Sequence, residues 1–391
     1  MYDKPLEGIR VVDLTRVVAG PVCTMNLAQM GADVIKIETP EKGDDTRATP
    51  PFINGESAYF MLMNGGKRSL TLDLKSPEGK RILWKLIDTA DVFVENFRPG
   101  VADRLGFSYN VVSAKKPRII YCSISGYGSD SDTGAYDPII QGESGFMSIT
   151  GAPEGLPTKV AAPIADLVSA LYAVQGILYS LYYRERTGEG QYVDVSMLSS
   201  MASLLHLPGS VYIGTGENPR RLGNMHHSFA PYQLYVTKDG YINIACGNDS
   251  LWQSFCDAIA LPELKFDPRF DKNKNRVKNS SELNNIINEV ILSRKTCEWN
   301  KLLTAAGVPN GRVSTIADVF SDPVLLHKNV VCSTEHPLAG SIKLLGHPVK
   351  MSRTSSECRP APLLGADNRD ILLSLGFSDE QIKDLKVAKA I

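Results

Sequence analysis

Cysteine, histidine and tryptophan are scarce in this sequence, whose 391 residues include 7 Cys, 6 His and 3 Trp. The cysteines are scattered, odd in number and never arranged as C-x-x-C, which indicates reduced thiols in a cytosolic-type compartment. The histidines form one adjacent pair, His226-His227, and no H-E-x-x-H spacing. We therefore expect neither a disulfide scaffold nor a bound metal.

Long apolar runs and blocks of one charge are also missing. No stretch reaches the roughly 18 residues that cross a bilayer without polar or charged interruption. The N-terminal MYDKPLEGIRVVDLT enters a strand almost at once, so we expect no targeting segment, a cytoplasmic location and no membrane partner. The formal net charge is −1 without a basic block, which argues against a nucleic-acid partner.

Three familiar ligand and catalytic motifs do not occur. The first strand-to-helix turn, TRVVAGP, lacks G-x-G-x-x-G, which disfavours a nicotinamide or flavin site. No G-x-x-x-x-G-K-[ST] loop is present for ATP, and no G-x-S-x-G elbow for a hydrolase. An α/β enzyme without these motifs needs other chemistry, and we expect no permanently bound cofactor.

Strand and helix patterns alternate through the first half of the chain. Apolar runs at Ile9–Thr15 and Ala32–Glu38 flank a helical segment from about Pro21 to Met30, and such a βαβ unit implies parallel strands. The alternation continues with a helix at about Pro77–Ala90 and a strand at Arg118–Ser125. This pattern predicts an α/β fold: a Rossmann-like parallel sheet with helices on both faces.

The character of the sequence changes after about Gly214. Two β-rich runs flank Lys238-Asp239-Gly240, which predicts a hairpin, and polar helices follow. Near the C-terminus, Ser378 and Gln381 have the spacing of a capping box that opens the last helix. Because the chain is too long for one ordinary core, we expect a large domain and a smaller α+β domain.

One carboxylate is isolated in an apolar context. In KVAAPIADLVSALYAVQGILYSLYY, residues 159–183, Lys159 and Asp166 are the only charged side chains, and Asp166 directly precedes an apolar helical run. Helix capping is the ordinary reason for an aspartate there, and a nucleophile is the alternative. Near predicted strand ends, Lys75, Arg98 and Arg104 are candidates to hold phosphates, although each of them, taken alone, is more often a surface charge.

Taken together, these stretches resemble the class III CoA-transferase family over almost the whole chain. The resemblance is carried by PLEGIRVVDLTRVVAGP, GADVIKIE, GDDTR, LDLK, VENFRPG, DRLGF, YCSISGYG, the ADL at Asp166 and RTGEGQYVDVSML. The family includes formyl-CoA transferase, carnitine CoA-transferase relatives and 2-methylacyl-CoA racemases. GDDTR, LSSMASLLHL and GNMHHSFAPYQ look like the branch with succinate–hydroxymethylglutarate CoA-transferase and, less closely, acetyl-CoA:oxalate CoA-transferase.

The resemblance implies a fold, an assembly and a site. Both chain ends, 1–214 and 326–391, would build the large CoA-binding domain, with the small domain at 225–325 and two subunits interlocked as a homodimer. The family's nucleophile falls on Asp166, and Tyr136-Asp137 matches a Tyr-Glu pair beside the active site. Coenzyme A is then a substrate, and its contacts fall on Val18, Ala19, Leu72, Asp73, Lys75, Asn96, Phe97, Arg98 and Arg104.

The implied reaction moves CoA from an acyl-CoA thioester to a free carboxylic acid through an aspartyl anhydride and an aspartyl-CoA thioester, without ATP. Two departures argue against formate and oxalate as substrates. Val18 stands where formyl-CoA transferases carry glutamine, and RLGNMHHSFAPY replaces their glycine-rich loop. We expect a short dicarboxylate of the succinate or glutarate type, with Arg47, Asn224 and His226 as substrate-proximal candidates.

Two other functions fit parts of the sequence. An acyl-CoA racemase of the 2-methylacyl-CoA type needs a second proton-transfer group, which in this family is a histidine just before the aspartate of the Tyr136-Asp137 position. A tyrosine, with an ordinary pKa near 10, is a poor base at neutral pH. A non-catalytic acyl-CoA-binding protein has no use for a lone carboxylate at the thioester, and a CoA-exchange assay separates it from a transferase.

Overall fold

The computed structural model describes residues 3–391, which divide into two compact units. The first unit contains the chain up to Phe146, then Lys159–Ser210 and Phe320–Ile391, so both chain ends contribute to it. The second unit contains Met147–Thr158 and Val211–Val319. The sequence predicts residues 147–158 in the larger domain, and the structure assigns them to the smaller unit.

The strands follow one another along the chain as β1 (Arg10–Asp13), β2 (Asp33–Glu38), β3 (Phe52–Ile53), β4 (Glu56–Ser57), β5 (Arg68–Thr71), β6 (Val92–Glu95), β7 (Ile120–Ser125), β8 (Tyr192–Ser196), β9 (Tyr232–Val236), β10 (Tyr241–Ala245), β11 (Asn310–Arg312), β12 (Val331–His336) and β13 (Gly340–Leu345).

The helices are α1 (Ala19–Gln29), α2 (Ala58–Met63), α3 (Pro77–Thr89), α4 (Val101–Leu105), α5 (Tyr109–Lys115), α6 (Asp137–Glu143), α7 (Phe146–Ile149), α8 (Ile164–Thr187), α9 (Met197–Ala202), α10 (His206–Thr215), α11 (Asp249–Ala258), α12 (Asn273–Lys278), α13 (Ser280–Ile291), α14 (Thr296–Ala305), α15 (Ile316–Ser321), α16 (Pro323–His327), α17 (Asn368–Ser374) and α18 (Asp379–Val387). Short 3₁₀ turns occupy Asp45–Ala48 and Pro262–Lys265.

A parallel sheet organises the first unit, with its strands in the order β5-β2-β1-β6-β7-β8. Successive strand residues face opposite sides. Val12 and Ile35 therefore pack with α3 and the C-terminal helices, whereas Val11 and Val34 pack with α1 and α8. Burial on both faces explains the nearly continuous apolar runs in the sequence. The predicted α/β fold with a large parallel sheet is confirmed.

Local signals in the sequence account for several element ends. The side chain of Ser76 accepts a hydrogen bond from the N–H of Gly79 and starts α3, with Pro77 as its first residue. The predicted capping box of Ser378 and Gln381 opens α18. The predicted hairpin is formed by β9 and β10, which pair antiparallel. The predicted capping box and the predicted hairpin are both confirmed.

The last part of the chain protects one edge of the parallel sheet. The side chain of Asp367 accepts a hydrogen bond from the N–H of Ser69, at 2.8 Å, and that of Asn368 accepts one from Thr71, at 2.9 Å. These contacts satisfy backbone donors on β5, which otherwise has no neighbouring strand on that side. Side chains from the C-terminal segment thus provide the hydrogen-bond acceptors that a further strand would otherwise provide.

The second unit has its own core and its own sheet, β11-β10-β9. Trp252, Phe255 and Trp299 are buried between this sheet and its helices. The guanidinium of Arg221 donates to the carbonyls of Gly155, at 2.8 Å, and of Ser148 and Ala152. These bonds attach residues 147–158 to this unit, which is why the boundary differs from the predicted one.

Two cysteines are joined, contrary to the prediction of reduced thiols throughout. Cys332 on β12 and Cys358 in the following C-terminal segment form a disulfide with their Cα atoms 6.6 Å apart. They are 26 residues apart in sequence, and the chain reversal at the β12–β13 hairpin brings the segment back beside the strand. The free cysteines among residues 3–391 are Cys23, Cys122, Cys246, Cys256 and Cys297.

Helix α8 is long and apolar enough, by length and composition, to cross a membrane. Polar residues interrupt the apolar run of this helix, which is why no membrane-spanning stretch is expected from the sequence. In the structure Ala170, Ala173 and Ile177 are fully buried in the first unit's core, and a core helix passes the same length and composition test. The absence of a membrane partner stays a prediction.

Candidate active site at the carboxyl edge of the parallel sheet

Asp166 lies inside the first turn of α8 and is not its N-cap. The helix begins at Ile164 with Pro163 as the cap residue, and Pro163 has no side-chain cap bond. The carboxylate of Asp137 instead accepts a hydrogen bond from the N–H of Ala165, at 2.8 Å. The capping interpretation of Asp166 is therefore wrong, because another carboxylate, 28 residues earlier in the chain than Ala165, already serves this end of the helix.

The surroundings of Asp166 make it a weak acid. Burial, and then the negative charge of Asp137, raise its pKa from 3.8 to about 7. Burial and the charges of Asp166 and Asp137 also raise the pKa of Tyr59 on α2, so its phenol stays protonated near both carboxylates. A carboxyl group with a pKa near neutral pH, close to a hydroxyl donor, is the combination expected at a reactive site.

The turn between β1 and α1 is strained and tightly held. Val17 has φ of +67°, a conformation that a β-branched residue rarely adopts. Asn96 exchanges two hydrogen bonds with the backbone of Arg16, both at 2.8 Å. The carboxylate of Asp44 accepts from the N–H of Val17, at 3.4 Å. The side chain of Asn96, a predicted CoA contact, thus supports the loop that leads to Val18.

The predicted CoA contacts Val18 and Ala19 form the start of α1 and are buried. They belong to the same hydrophobic cluster as Leu167, the residue after Asp166, and Tyr59. Gly20 allows this turn to close, because an added Cβ would lie 2.2 Å from the Cβ of Thr15. The structure thus brings the β1–α1 turn, α2 and the first turn of α8 together in one unit.

The remaining predicted CoA contacts follow β5 and β6. The side chain of Leu72 is buried in the core and its N–H donates to the carbonyl of Glu38, so a ligand can reach only its backbone carbonyl. Asp73 accepts a hydrogen bond from the N–H of Lys75. Phe97 is partly buried against the core cluster. Both segments are therefore firmly anchored turns after parallel strands, where ligands of such sheets bind.

The three predicted phosphate-binding cations remain free for a ligand. Lys75, Arg98 and Arg104 are exposed, and within residues 3–391 none of them forms an ion pair. A cavity of about 350 Å³ adjoins Phe97 and Arg98 and is lined by Glu95 and Ser123. Burial raises the pKa of Glu95, which weakens its repulsion of an anion. Over the same residues, no group of three or more His, Cys, Asp or Glu is arranged to hold a metal ion.

Arg47, a predicted substrate contact, is already bound within the protein. Its guanidinium donates to both carboxylate oxygens of Glu38, at 2.7 and 2.8 Å, and to the carbonyl of Pro362. It also lies 3.7 Å from the centre of the Phe60 ring. This bidentate pair uses the Nε–Nη2 edge of the guanidinium, so a second carboxylate cannot bind at that edge. The sequence could not show this, because Glu38 and Pro362 meet Arg47 only in the folded chain.

The other substrate-proximal candidates differ in their exposure and in whether their side chains are already hydrogen-bonded. Tyr136 is exposed and lies directly before α6, next to the buried Asp137. In the second unit, Asn224 is exposed, and His226 accepts a hydrogen bond from the N–H of Ser228 at Nδ1. Burial, followed by the neighbouring His227, lowers the pKa of His226.

Sequence reasoning missed Tyr59 and Gln141. Gln141 is fully buried, and its side chain donates to the carboxylate of Asp137, at 2.7 Å. The four-residue spacing of Asp137 and Gln141 on one helix is a signal that could have found this pair. No comparable pattern marks Tyr59, which reaches the site from a short helix more than a hundred residues before Asp166.

The raised pKa of Asp166 predicts an acid limit to any reaction that needs its carboxylate. A protonated carboxyl is not a nucleophile, so kcat/KM should fall about tenfold per pH unit below roughly pH 7. Asp137→Asn keeps an oxygen for the N–H of Ala165 but removes the charge, so the limit should move to lower pH. An unchanged pH profile in Asp137→Asn would contradict this account.

Comparison with known proteins identifies relatives along nearly the full length. The model of CoA-transferase family III matches residues 6–368. The mouse succinyl-CoA:glutarate CoA-transferase is 41% identical over 96% of this chain and 88% of its own. The succinate–glutarate CoA-transferase of Agrobacterium fabrum is 40% identical, covering 95% and 96%. A crystal structure of a CaiB/BaiF family protein from Brucella suis is 36% identical, with a TM-score of 0.88 over 96% of this chain and 100% of that one.

Proposed function

The chain belongs to CoA-transferase family III and is a CoA-transferase, and on that premise we propose that Asp166 is its nucleophile and that short dicarboxylic acids are its substrates. The observation that carries the proposal is the carboxylate of Asp166 in the first turn of α8, beside Asp137 and Tyr59. The shared hydrophobic cluster with Val18 and Ala19 supports it further.

In the proposed mechanism the Asp166 carboxylate attacks the thioester carbonyl of the donor. The C–S bond breaks, CoA leaves as a thiolate, and a mixed anhydride remains on the enzyme. The thiolate then attacks the aspartyl carbonyl, which releases the donor acid and leaves an aspartyl-CoA thioester. The acceptor carboxylate attacks the carbonyl of this thioester, which expels the CoA thiolate and forms a second mixed anhydride between Asp166 and the acceptor. The thiolate then attacks the acceptor acyl carbon of this anhydride, which releases the Asp166 carboxylate and forms the new acyl-CoA.

The neighbouring groups have defined tasks in this sequence of steps. The α8 N-terminus favours the ionised, attacking form of Asp166. Burial and the charge of Asp137 raise its pKa to about 7, which still leaves much of it ionised at neutral pH. The phenol of Tyr59 is a donor for the oxyanion that develops on the carbonyl. The exposed cations Lys75, Arg98 and Arg104 are assigned to the CoA phosphates.

The substrate class rests on the relatives and on Val18. Two relatives that are about 40% identical are named for succinyl-CoA with glutarate, or succinate with glutarate. The buried, apolar Val18 offers no hydrogen bond to a formyl or oxalyl group. Arg47 and Arg221 are both engaged by internal partners, which disfavours them as the groups that recognise the distal carboxylate.

A panel of donors and acceptors tests this function. With succinyl-CoA as donor, glutarate should be converted with kcat/KM at least about tenfold above that of valerate, which has the same number of carbons and one carboxylate, because a hydrogen bond to a charged group contributes about 1.5–3 kcal/mol. High-performance liquid chromatography of the CoA thioesters measures the products. Equal use of valerate would reject the dicarboxylate assignment, and no CoA exchange with any pair would reject the reaction.

The proposal includes an interlocked homodimer, and α8 supplies its support. Leu171, Tyr179 and Tyr182 are 57%, 63% and 61% exposed, although they belong to a helix long and apolar enough to cross a membrane. With Leu178 they form one face, because residues three, four, seven and eight apart share a side of a helix. An exposed apolar face of this size is typical of a protein interface.

Dilution tests this assembly. If the subunits interlock, separation requires unfolding, so analytical ultracentrifugation in the micromolar range should show a dimer and no folded monomer. Tyr179→Glu should lose both the dimer and the cooperative unfolding transition, whereas Tyr241→Glu, at an exposed tyrosine of the second unit, should lose neither. A folded monomer of the wild type in reversible exchange would exclude an interlocked pair.

A further inference from the structure

Gln141 is the most completely bonded buried amide near the proposed nucleophile. Its Oε1 accepts a hydrogen bond from the N–H of Val160, at 2.8 Å, and its Nε2 donates to the carbonyl of the same residue, at 3.3 Å. The side chain therefore binds both polar groups of Val160. Its Nε2 also donates to the carboxylate of Asp137, at 2.7 Å, and the side chain has no exposed surface.

Asp137 continues this network of hydrogen bonds. One carboxylate oxygen of Asp137 accepts from Gln141, and the other accepts from the N–H of Ala165, at 2.8 Å. Gln141 and Asp137, one turn apart on α6, thus hold the chain at Val160 and at Ala165. These two points enclose the segment that leads into α8 and to Asp166.

The position of these bonds distinguishes Gln141 from an ordinary buried amide. Gln29, which is also buried, donates to the carbonyl of Leu345, at 3.1 Å, and lies at the opposite end of α1 from Val18. Every side-chain hydrogen bond of Gln141, in contrast, ends on Asp137 or on the segment before Asp166. We call these hydrogen bonds of Gln141 to Asp137 and Val160 the brace. The brace fixes where the first turn of α8 begins and hence the direction of the Asp166 side chain.

We propose that Gln141 is a positioning residue for CoA transfer: it orients Asp137 and the segment 160–165 so that the Asp166 carboxylate faces the thioester carbonyl. This inference rests on the proposed function, because it takes Asp166 as the nucleophile. Gln141 itself touches no reacting atom. The titratable groups that face Asp166 are Asp137 on α6 and Tyr59 on α2.

Gln141→Leu tests the brace by removing its three hydrogen bonds at similar volume. Because a displacement of about 1 Å costs roughly 100-fold in rate, kcat with succinyl-CoA and glutarate should fall by about that factor while KM for succinyl-CoA stays within about threefold. Gln29→Leu is the matched control, with a buried glutamine of the same α/β unit removed and kcat unchanged.

Gln141→Glu gives a readout that a purely structural role would not move. The introduced carboxyl group, when protonated, can accept from Val160 and donate to Asp137 as the amide does, whereas its ionised form repels Asp137. Burial beside the Asp137 carboxylate should raise the pKa of the introduced carboxyl group well above the ordinary value of about 4.3, so the variant should approach wild-type kcat at about pH 6 and lose about tenfold or more towards pH 9. The wild type should show no such fall on the alkaline side.

The outcomes separate this inference from the function on which it rests. Loss of kcat in Gln141→Leu with KM kept, together with the alkaline fall in Gln141→Glu, supports the brace. If Gln141→Leu keeps wild-type kcat, or if Gln141→Glu has the wild-type pH profile, Gln141 does not position Asp166. If instead the wild type exchanges no CoA, or Asp166→Ala stays active, the proposed function has failed, independently of the two Gln141 variants.

Discussion

Asp166→Ala should lower CoA transfer by at least about 10⁴-fold, in the range seen when a covalent nucleophile is removed. No other carboxylate is placed to take over, because Asp137 already accepts hydrogen bonds from Ala165 and Gln141. The fold should persist. Since Asp137 provides the cap bond of α8, the free energy of unfolding should change by less than about 1 kcal/mol.

CoA binding provides the internal control for this variant. The assigned phosphate contacts Lys75, Arg98 and Arg104 lie on other elements, so isothermal titration with free CoA should give a dissociation constant within about threefold of the wild type. Asp166→Asn is the matched variant, since it keeps the shape of the side chain and removes the attacking oxygen. It should be as inactive as Asp166→Ala.

Chemical trapping identifies the intermediate directly. Wild-type protein incubated with succinyl-CoA and then treated with hydroxylamine or borohydride should carry the modification on the tryptic peptide of residues 160–184, at Asp166, as mapped by mass spectrometry. The peptide from Asp166→Asn should stay unmodified. Modification at another carboxylate, or full transfer activity in either variant, would remove Asp166 from the mechanism.

Lys67→Met should produce the largest loss of stability, about 3–5 kcal/mol in the free energy of unfolding, as expected when one partner of a buried ion pair is removed. The ammonium of Lys67 lies 3.0 Å from the carboxylate of Asp13, and both side chains are fully buried. Burial alone would raise the pKa of Asp13, but Lys67, Lys36 and two threonine hydroxyls hold that pKa below its ordinary value. Without Lys67 the carboxylate loses its nearest cation.

Urea unfolding followed by circular dichroism measures this loss. Lys75→Met is the matched control, because Lys75 is exposed and its replacement should change the free energy of unfolding by no more than about 0.5 kcal/mol. The double variant with Asp13→Asn should recover part of the loss, since it leaves no unpaired charge. Equal midpoints for Lys67→Met and Lys75→Met would show that the buried pair contributes nothing to stability.

The same pair supports the site. Asp13 accepts hydrogen bonds from Thr15, at 2.5 Å, and Thr24, at 2.6 Å, and these residues flank the turn that contains Val18 and Ala19. The ammonium of Lys36 donates to the carbonyl of Thr15, at 2.8 Å. Buried charges thus fix the base of the strained turn, which explains how Val17 keeps its unfavourable backbone conformation.

Local patterns in the sequence determined several of the strands and helix ends that the structure contains. The apolar runs of β1 and β2, the cap of α3 at Ser76 and the capping box of α18 each depend on residues within a few positions of one another. Such short-range signals can be recognised in the sequence without knowledge of the fold. The ordered series of motifs, including the ADL at Asp166, also sufficed to indicate the family that the comparisons then showed.

Only the tertiary structure decided which polar groups are free and which are occupied. Arg47 is bound by Glu38 and Pro362, the latter 315 residues away, and the cap bond of α8 comes from Asp137 rather than Asp166. The disulfide between Cys332 and Cys358 likewise depends on the fold, which brings the two residues together. A hydrogen bond or ion pair needs two groups within about 3 Å, and the spacing of residues along a chain does not reveal which distant ones the fold brings together.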